Sequence, residues 1–339
     1  MDMVCVPPGK KCPLIASLFA LLALALPLPA QVAASTCGRL LTEPDYDLEL
    51  PLIGPIRDQC GGTCWISAGL TMVEHSVHAQ SGVKVAMSED YLAAMELKNQ
   101  ALGGVMNRTN AVPALAGRTF SHVEWLIREY GMVPKSEFTA PDADWAKIGE
   151  ALYAVTKSYA AKKTLTNAEY ERLSKELDAA LSKELAPLPA NFRIAGKRFT
   201  PKTFSTAFIP NHSFKTLFLK EKGVPDPLGL HHSLKDVLTQ VKQSIADGKA
   251  VYASIRWPEE WFSIQNGLLN LDTNPATAKK VKSSGLHAVA VVGAKLDSKG
   301  EITALKIQNS WGEELGDEGF FHISRKTLEQ VLQYVVVGN

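Results

Sequence analysis

Cys64 sits in Asp58-Gln59-Cys60-Gly61-Gly62-Thr63-Cys64-Trp65, directly ahead of a long segment with apolar faces. Far downstream lie Leu286-His287-Ala288-Val289-Ala290 and Gln308-Asn309-Ser310-Trp311-Gly312. An amide, a thiol, an imidazole and a second amide in that order are the parts of a cysteine-nucleophile site. The thiolate is the attacking species, and an ordinary thiol of pKa about 8.5 is scarcely ionised at neutral pH. Gly61 and Gly62 allow a tight turn into a helix that Cys64 opens. The N-terminus of that helix places partial positive charge at the sulfur. A neighbouring histidinium lowers such a thiol pKa to roughly 3–4. His287 would then hand its proton to the leaving group. The Asn309 side-chain oxygen would accept a hydrogen bond from the other ring nitrogen and fix the ring. The Gln59 amide and the Cys64 backbone N–H would hold the developing oxyanion, and Trp311 would shield the His–Asn contact from water.

Three blocks, Asp58–Ser67, Leu286–Gly293 and Lys306–Ile323, resemble the papain-like cysteine peptidase superfamily, peptidase C1. The third is the most specific: Asn309-Ser310-Trp311-Gly312 is followed by Gly316-Asp317-Glu318-Gly319-Phe320-Phe321. The resemblance implies an α+β, two-lobed fold. One lobe is helical, with a central helix carrying the cysteine; the other is an antiparallel, β-barrel-like lobe carrying the histidine and asparagine. It also implies Cys64 as nucleophile, His287 as acid/base, Asn309 as orienting residue and Gln59 as oxyanion donor. Tyr130-Gly131-Met132-Val133-Pro134-Lys135-Ser136 and the ending Gly319–Ser324 with Gln333–Val337 are similar to the bleomycin hydrolase and aminopeptidase C branch. That branch carries additional helical sequence after the first of these segments.

The chain also departs from the family pattern. Gln59 stands five residues before Cys64 and Cys60 four, one residue closer and one further than the family spacing. Where the family tends to have a Gly-Gly pair that binds substrate through its backbone, the chain reads Ala116-Gly117-Arg118-Thr119. Gly117 and Arg118 are therefore the substrate-side candidates, the latter narrowing the cleft or adding a charge to it. Leu286, just before the histidine, is the candidate lining residue for the main side-chain pocket, and Trp65 supports the thiol loop.

The 36 basic and 35 acidic residues give a formal charge of +1, which excludes a nucleic-acid partner held by bulk electrostatics. Lys10-Lys11, the apolar run Leu14–Leu26 and the small residues Val32-Ala33-Ala34 predict a cleaved signal peptide over 1–34. The expected location is secreted or periplasmic, with membrane contact only through that segment. Cys5 and Cys12 would leave with it, and Cys37 and Cys60 are expected to form a disulfide. No metal and no cofactor is expected: the nearest histidines to the Cys60/Cys64 pair, His75 and His78, read as one face of a helix.

The mature chain reads as one peptidase domain over 35–339. A helical lobe spans about 58–137, a helical insertion about 138–230 and a β-rich lobe about 231–339. The insertion explains why 223 residues separate Cys64 from His287, against roughly 130–150 in papain-type enzymes. Helices are expected over Cys64 to about Gln80, from Ser88 to about Gln100, and over Ser121–Tyr130. Thr166-Asn167-Ala168-Glu169 is a capping box, followed by an apolar stripe of Tyr170, Leu173, Leu177, Leu181 and Leu185. That stripe is either packed on the domain or is a lid or docking helix. Ser233 caps a further helix; Ala250–Ile255, His287–Gly293, Ala304–Gln308 and Phe320–Ile323 read as strands. Thr200–Leu230 carries four prolines and yields no assignment.

The function these expectations converge on is an exported peptidase acting on peptide or protein through a thioester. The insertion, a protein inhibitor or the environment would control it, because only about 15 residues lie between the expected signal peptide and the entry strand, too few for a folded propeptide of the usual papain type. A papain-scaffold adaptor with little catalysis, and an acyl transferase using the same thiol, are the alternatives.

Overall fold

The computed structural model describes residues 42–339 except 60, 110, 160, 161, 163, 210–213, 221–225, 228, 259, 260, 262–265 and 272–282. The expected signal peptide and the Cys37–Cys60 pairing lie outside the described residues. A short strand, β1 (Leu48–Glu49), leads into α1 (Cys64–Ser81), α2 (Glu89–Met106) and α3 (Phe120–Tyr130). Next come α4 (Trp145–Lys157), α5 (Asn167–Glu184), a hairpin of β2 (Phe192–Ile194) and β3 (Lys197–Phe199), and α6 (Pro201–Phe208). The remainder is β4 (Phe214–Leu219), β5 (His231–His232), α7 (Leu234–Ala246), β6 (Val251–Pro258), β7 (Leu268–Leu269), β8 (Ser283–Leu296), β9 (Ile302–Gln308), β10 (Phe320–Ser324), α8 (Arg325–Val331) and β11 (Leu332–Gly338).

One mixed sheet organises the β-rich part, in the order β5-β4-β11-β6-β8-β9-β10-β7, with β1 pairing β8. Its pairings are antiparallel except β4–β5 and β7–β10. Strand side chains alternate between faces, and here the alternation divides two cores. Val251, Ala253 and Ile255 pack with α7 and α8, through residues such as Val241 and Leu328. Tyr252, Ala288 and Tyr334 point the other way and share a core with Cys64 and the α1–α3 helices. Residues 250–255 therefore carry no polar face, as expected for a sheet covered on both sides.

α1 is buried from Cys64 to Val77. It lies between β8 on one side and α3 on the other, and Gly69 permits the approach of α3: a Cβ there would stand 2.9 Å from Val123 methyls. α5 has the capping box read from its sequence, with Thr166 and Glu169 exchanging bonds. Leu173, Leu177 and Leu181 are completely buried, each supplying roughly 1.5–3 kcal/mol of apolar burial. Lys98 on α2 donates to Asp178 on α5 at 2.6 Å, so α5 is docked against the helical core rather than presented outward. Tyr170, at the head of the stripe, is 39% exposed. The stretch left unassigned contains α6, with Thr200 as cap and Pro201 in its first turn, and β4, which joins the sheet against β11. No described helix is long and apolar enough to cross a membrane.

Candidate active site

α1 delivers Cys64, completely buried, as its first residue. Thr63 precedes it without a side-chain cap, and no acidic residue sits in the first turn. The positive end of the helix dipole is therefore not neutralised by a neighbouring carboxylate. Gly62 is required by its surroundings: a Cβ would lie 3.0 Å from the Ala116 backbone and 3.1 Å from Gly117 N. Trp65 ties the same two segments together, its Nε1 donating to Gly62 O at 2.8 Å and Ala116 O at 3.0 Å.

His287 comes from β8, opposite Ile255 of β6, and is completely buried. Its Nε2 donates to Asn309 Oδ1 at 2.7 Å. The other ring nitrogen, Nδ1, is buried and has no hydrogen-bond partner among the described residues, and Asn309 Nδ2 is in the same position. The ring is boxed by indoles: Trp311 lies 4.7 Å away, tilted by 31°, and Trp257 presents an edge contact at 5.0 Å. Trp257 also touches Trp261 and Trp311 edge-on, at 5.2 and 4.9 Å. This apolar wall excludes water from the His–Asn bond, which strengthens it. Trp257 escaped the sequence reading; its signal was a large aromatic at the end of a strand otherwise built of smaller residues.

The Gln59 loop is stapled to the segment that carries Asn309. Gln59 N donates to Ser310 O at 2.8 Å and Gly312 N to Arg57 O at 2.9 Å, with a bridge between Asp58 and Trp311. Ser310 Oγ donates to Gln59 Oε1, and Gln59 Nε2 donates one hydrogen to Gly61 O at 2.8 Å. Asn309 N itself donates to Gly319 O at 3.0 Å, which explains why a glycine-rich turn follows the Asn-Ser-Trp-Gly run.

Beneath this loop lies a buried ionic cluster that the sequence reading missed. Arg57, 3% exposed, donates to Glu74 Oε1 at 2.5 Å, Thr71 Oγ1 at 3.0 Å and Met87 O at 3.2 Å. It also meets Glu89 at 3.4 Å, and Lys135 closes on the same carboxylate at 2.7 Å. Burial works against the Arg57 charge, but Glu74 and Glu89 outweigh it and raise its pKa. The cluster fixes the backbone that leads into Gln59.

Of the substrate-side candidates, Gly117 abuts Gly62, and Leu286 is half-buried, paired across to Arg256. Arg118 does not project freely: its Nε lies 3.3 Å from the buried Glu96, which also holds His122 at 2.6 Å. His122 in turn stands 5.5 Å from the Trp65 ring and stacks on Trp125 at 5.6 Å. His75 bonds Thr71 O and Pro51 O, a structural role within α1.

The Peptidase C1-like family matches residues 262–339. Aminopeptidase C of Listeria monocytogenes is 22% identical over 378 residues, covering 88% of this chain and 83% of that protein. Aminopeptidase G of Lactobacillus delbrueckii subsp. lactis is 34% identical over 79 residues, 23% of this chain and 17% of that one. Among solved structures, PepW of Lactobacillus rhamnosis HN001 superposes with a TM-score of 0.64 at 19% identity, covering 88% of this chain and 82% of that one.

Proposed function

We propose that the chain is a papain-like cysteine peptidase near the aminopeptidase C branch, an exported hydrolase whose nucleophile is Cys64; the family match over 262–339 and the aminopeptidase C relative that covers 88% of the chain support this reading. His287 is the acid/base, Asn309 holds the ring and Gln59 contributes to the oxyanion site. The observation that carries this reading is the 2.7 Å bond from His287 Nε2 to Asn309. It commits one ring nitrogen and leaves Nδ1, buried and without a partner among the described residues, as the nitrogen for the thiol. Cys64 opens the helix that packs along the strand bearing His287.

The reaction follows from those roles. The Cys64 thiolate attacks the peptide carbonyl, and the C=O electron pair moves to an oxyanion held by Gln59 and backbone N–H. His287 Nδ1–H protonates the departing amine as the C–N bond breaks, leaving a thioester. His287 then takes a proton from water, whose oxygen attacks the thioester, and the sulfur leaves as thiolate. Asn309 keeps the imidazole in plane throughout, and Trp311 with Trp257 keeps bulk water off its far edge.

Export rests on the signal-like segment over 1–34. The names of the relatives direct the substrate test to unblocked amino termini. Purified protein is incubated with an epoxide thiol-peptidase inactivator, then assayed on amino-acid anilides and on amino-blocked peptides. The expected result is stoichiometric labelling of Cys64 that is lost in His287→Ala, with turnover of at least one substrate set. Well-folded protein that neither labels nor turns over would overturn the assignment. Fractionation of the native host tests export: the mature chain is expected outside the cytoplasm, beginning near Ser35.

A further inference from the structure

Glu43 meets Asp317 and His322, more than 270 positions further along the chain, where the N-terminal segment crosses β10. The ligand atoms of Glu43, Asp317 and His322 all lie within 4.8 Å of one another. His322 is completely buried and directs Nε2 toward Asp317 Oδ2 at 3.2 Å. Its Nδ1 meets the Tyr46 hydroxyl at 2.8 Å, with the two rings stacked at 5.8 Å. Glu43 is exposed and Asp317 is partly so, which leaves a solvent route to the cluster. Lys306 lies beside the cluster, 5.9 Å from the centre of the Tyr46 ring, but its ammonium donates to Glu49 at 2.6 Å and sits over the Phe320 ring at 4.5 Å.

We propose that Glu43, Asp317 and His322 form a binding site for one divalent cation of the zinc type, clamping the N-terminal segment to the turn that seats Asn309. One imidazole nitrogen with two carboxylate oxygens is a borderline nitrogen–oxygen donor set suited to Zn²⁺, and three protein ligands leave a position for water. A ligating imidazole needs its other nitrogen fixed by an outer partner. Tyr46 occupies that position: with Nε2 on the metal, Nδ1–H donates to the tyrosine oxygen. The cation would also relieve the repulsion between the Glu43 and Asp317 carboxylates.

The link to the active site is short. Asp317 and Phe320 exchange backbone bonds, Asp317 N to Phe320 O at 2.9 Å and Phe320 N to Asp317 O at 2.8 Å. Between them Gly319 O accepts from Asn309 N. A cation bridging residues 43, 317 and 322 closes this turn from outside, so it positions Asn309 through the backbone without touching substrate.

The test uses the full chain carrying Cys64→Ala, stripped with chelator, so that the catalytic thiol cannot take the metal. Zinc is titrated calorimetrically and thermal midpoints are read with and without it. Saturable uptake is expected, with a midpoint raised by roughly 5 °C at about a hundredfold excess over Kd. Glu43→Gln, on the solvent side, is expected to keep the metal-free midpoint; it and Asp317→Asn, each read against its own metal-free midpoint because Asp317 also bonds the buried His322, are expected to weaken zinc about tenfold or more. His322→Gln is avoided as the sole variant because a buried change can unfold the chain. Absence of saturable uptake overturns the proposal, as does uptake whose affinity and midpoint shift survive both substitutions, which would put the metal on other residues.

Discussion

The imidazole half of the site and the thiol half are held by different means. His287 belongs to a long strand with neighbours on both sides, and indoles box its ring. Gln59 and Gly62 belong to a loop held by backbone bonds to residues 310–312, by Trp65 and by the Arg57 cluster below. The strand-borne half keeps the residue pattern of the papain-like peptidases that the chain resembles. The loop-borne half has shifted its spacing by a residue, and compensating bonds from Ser310 hold Gln59 in place. A sheet fixes position through many shared bonds, whereas a loop tolerates re-registration if a few strong anchors survive.

That contrast is broken or sharpened by substitution. His287→Ala should lower kcat/KM by about 10³-fold or more, with the fold intact by circular dichroism; retention of a tenth of the activity would remove His287 from the chemistry. Arg57→Met leaves Glu74 buried without its cation, and should cost about 3–5 kcal/mol in denaturant unfolding. A loss below about 1 kcal/mol would mean the loop half does not depend on the cluster. Gln59→Ala should reduce kcat about 10²-fold with KM little changed. Ser310→Ala, which removes the hydroxyl bond to Gln59 Oε1, should cost about tenfold in kcat, since a small misplacement is enough. If Ser310→Ala proves as damaging as Gln59→Ala, the loop is as rigid as the strand and the contrast fails.

The smallest effect is the thiol half's share of the acid-range pH dependence, to which Glu169 and Asp226, also held low, contribute from elsewhere. Burial opposes the charge on Glu89, but Arg57 and Lys135 outweigh it and hold its carboxyl below the ordinary 4.5. The unfolded chain therefore binds the proton more readily, and stability rises with pH through this region. The contribution is complete above about pH 4.5 and is lost as the pH falls through the folded-state value. Thermal midpoints measured across that range should show the decline, and Lys135→Met should make it shallower.

What could be read along the chain was what is encoded locally. The capping box at Thr166, the Ser233 cap and the start of α1 at Cys64 each depend on a few adjacent residues, and all appear in the structure. The α2 helix runs on past the expected end near Gln100 to Met106: Ala101 and Leu102 are buried in the core, and that packing outweighs the weak helix propensity of Gly103-Gly104. α4 was overlooked although Asp144 caps it and Ile148, Leu152 and Thr156 line its buried face. Arg57 was illegible for another reason: its partners are 17 and 32 residues away, and an arginine is ordinarily a surface residue. β4 was equally hidden, because a strand rich in exposed side chains declares itself only through its neighbour β11.

The sheet order has a consequence for how the chain acquires its shape. β4 and its neighbour β5 reach the rest of the sheet only by way of β11, which leaves the ribosome long after them. Until β11 arrives, the β4 edge that faces it has no mate, and β6 is open on the side that β11 will cover. Pairings between such distant stretches form slowly and leave bare edges exposed to other molecules. A helper that shields nascent β-edges would therefore matter most for this protein between the synthesis of β4 and that of β11.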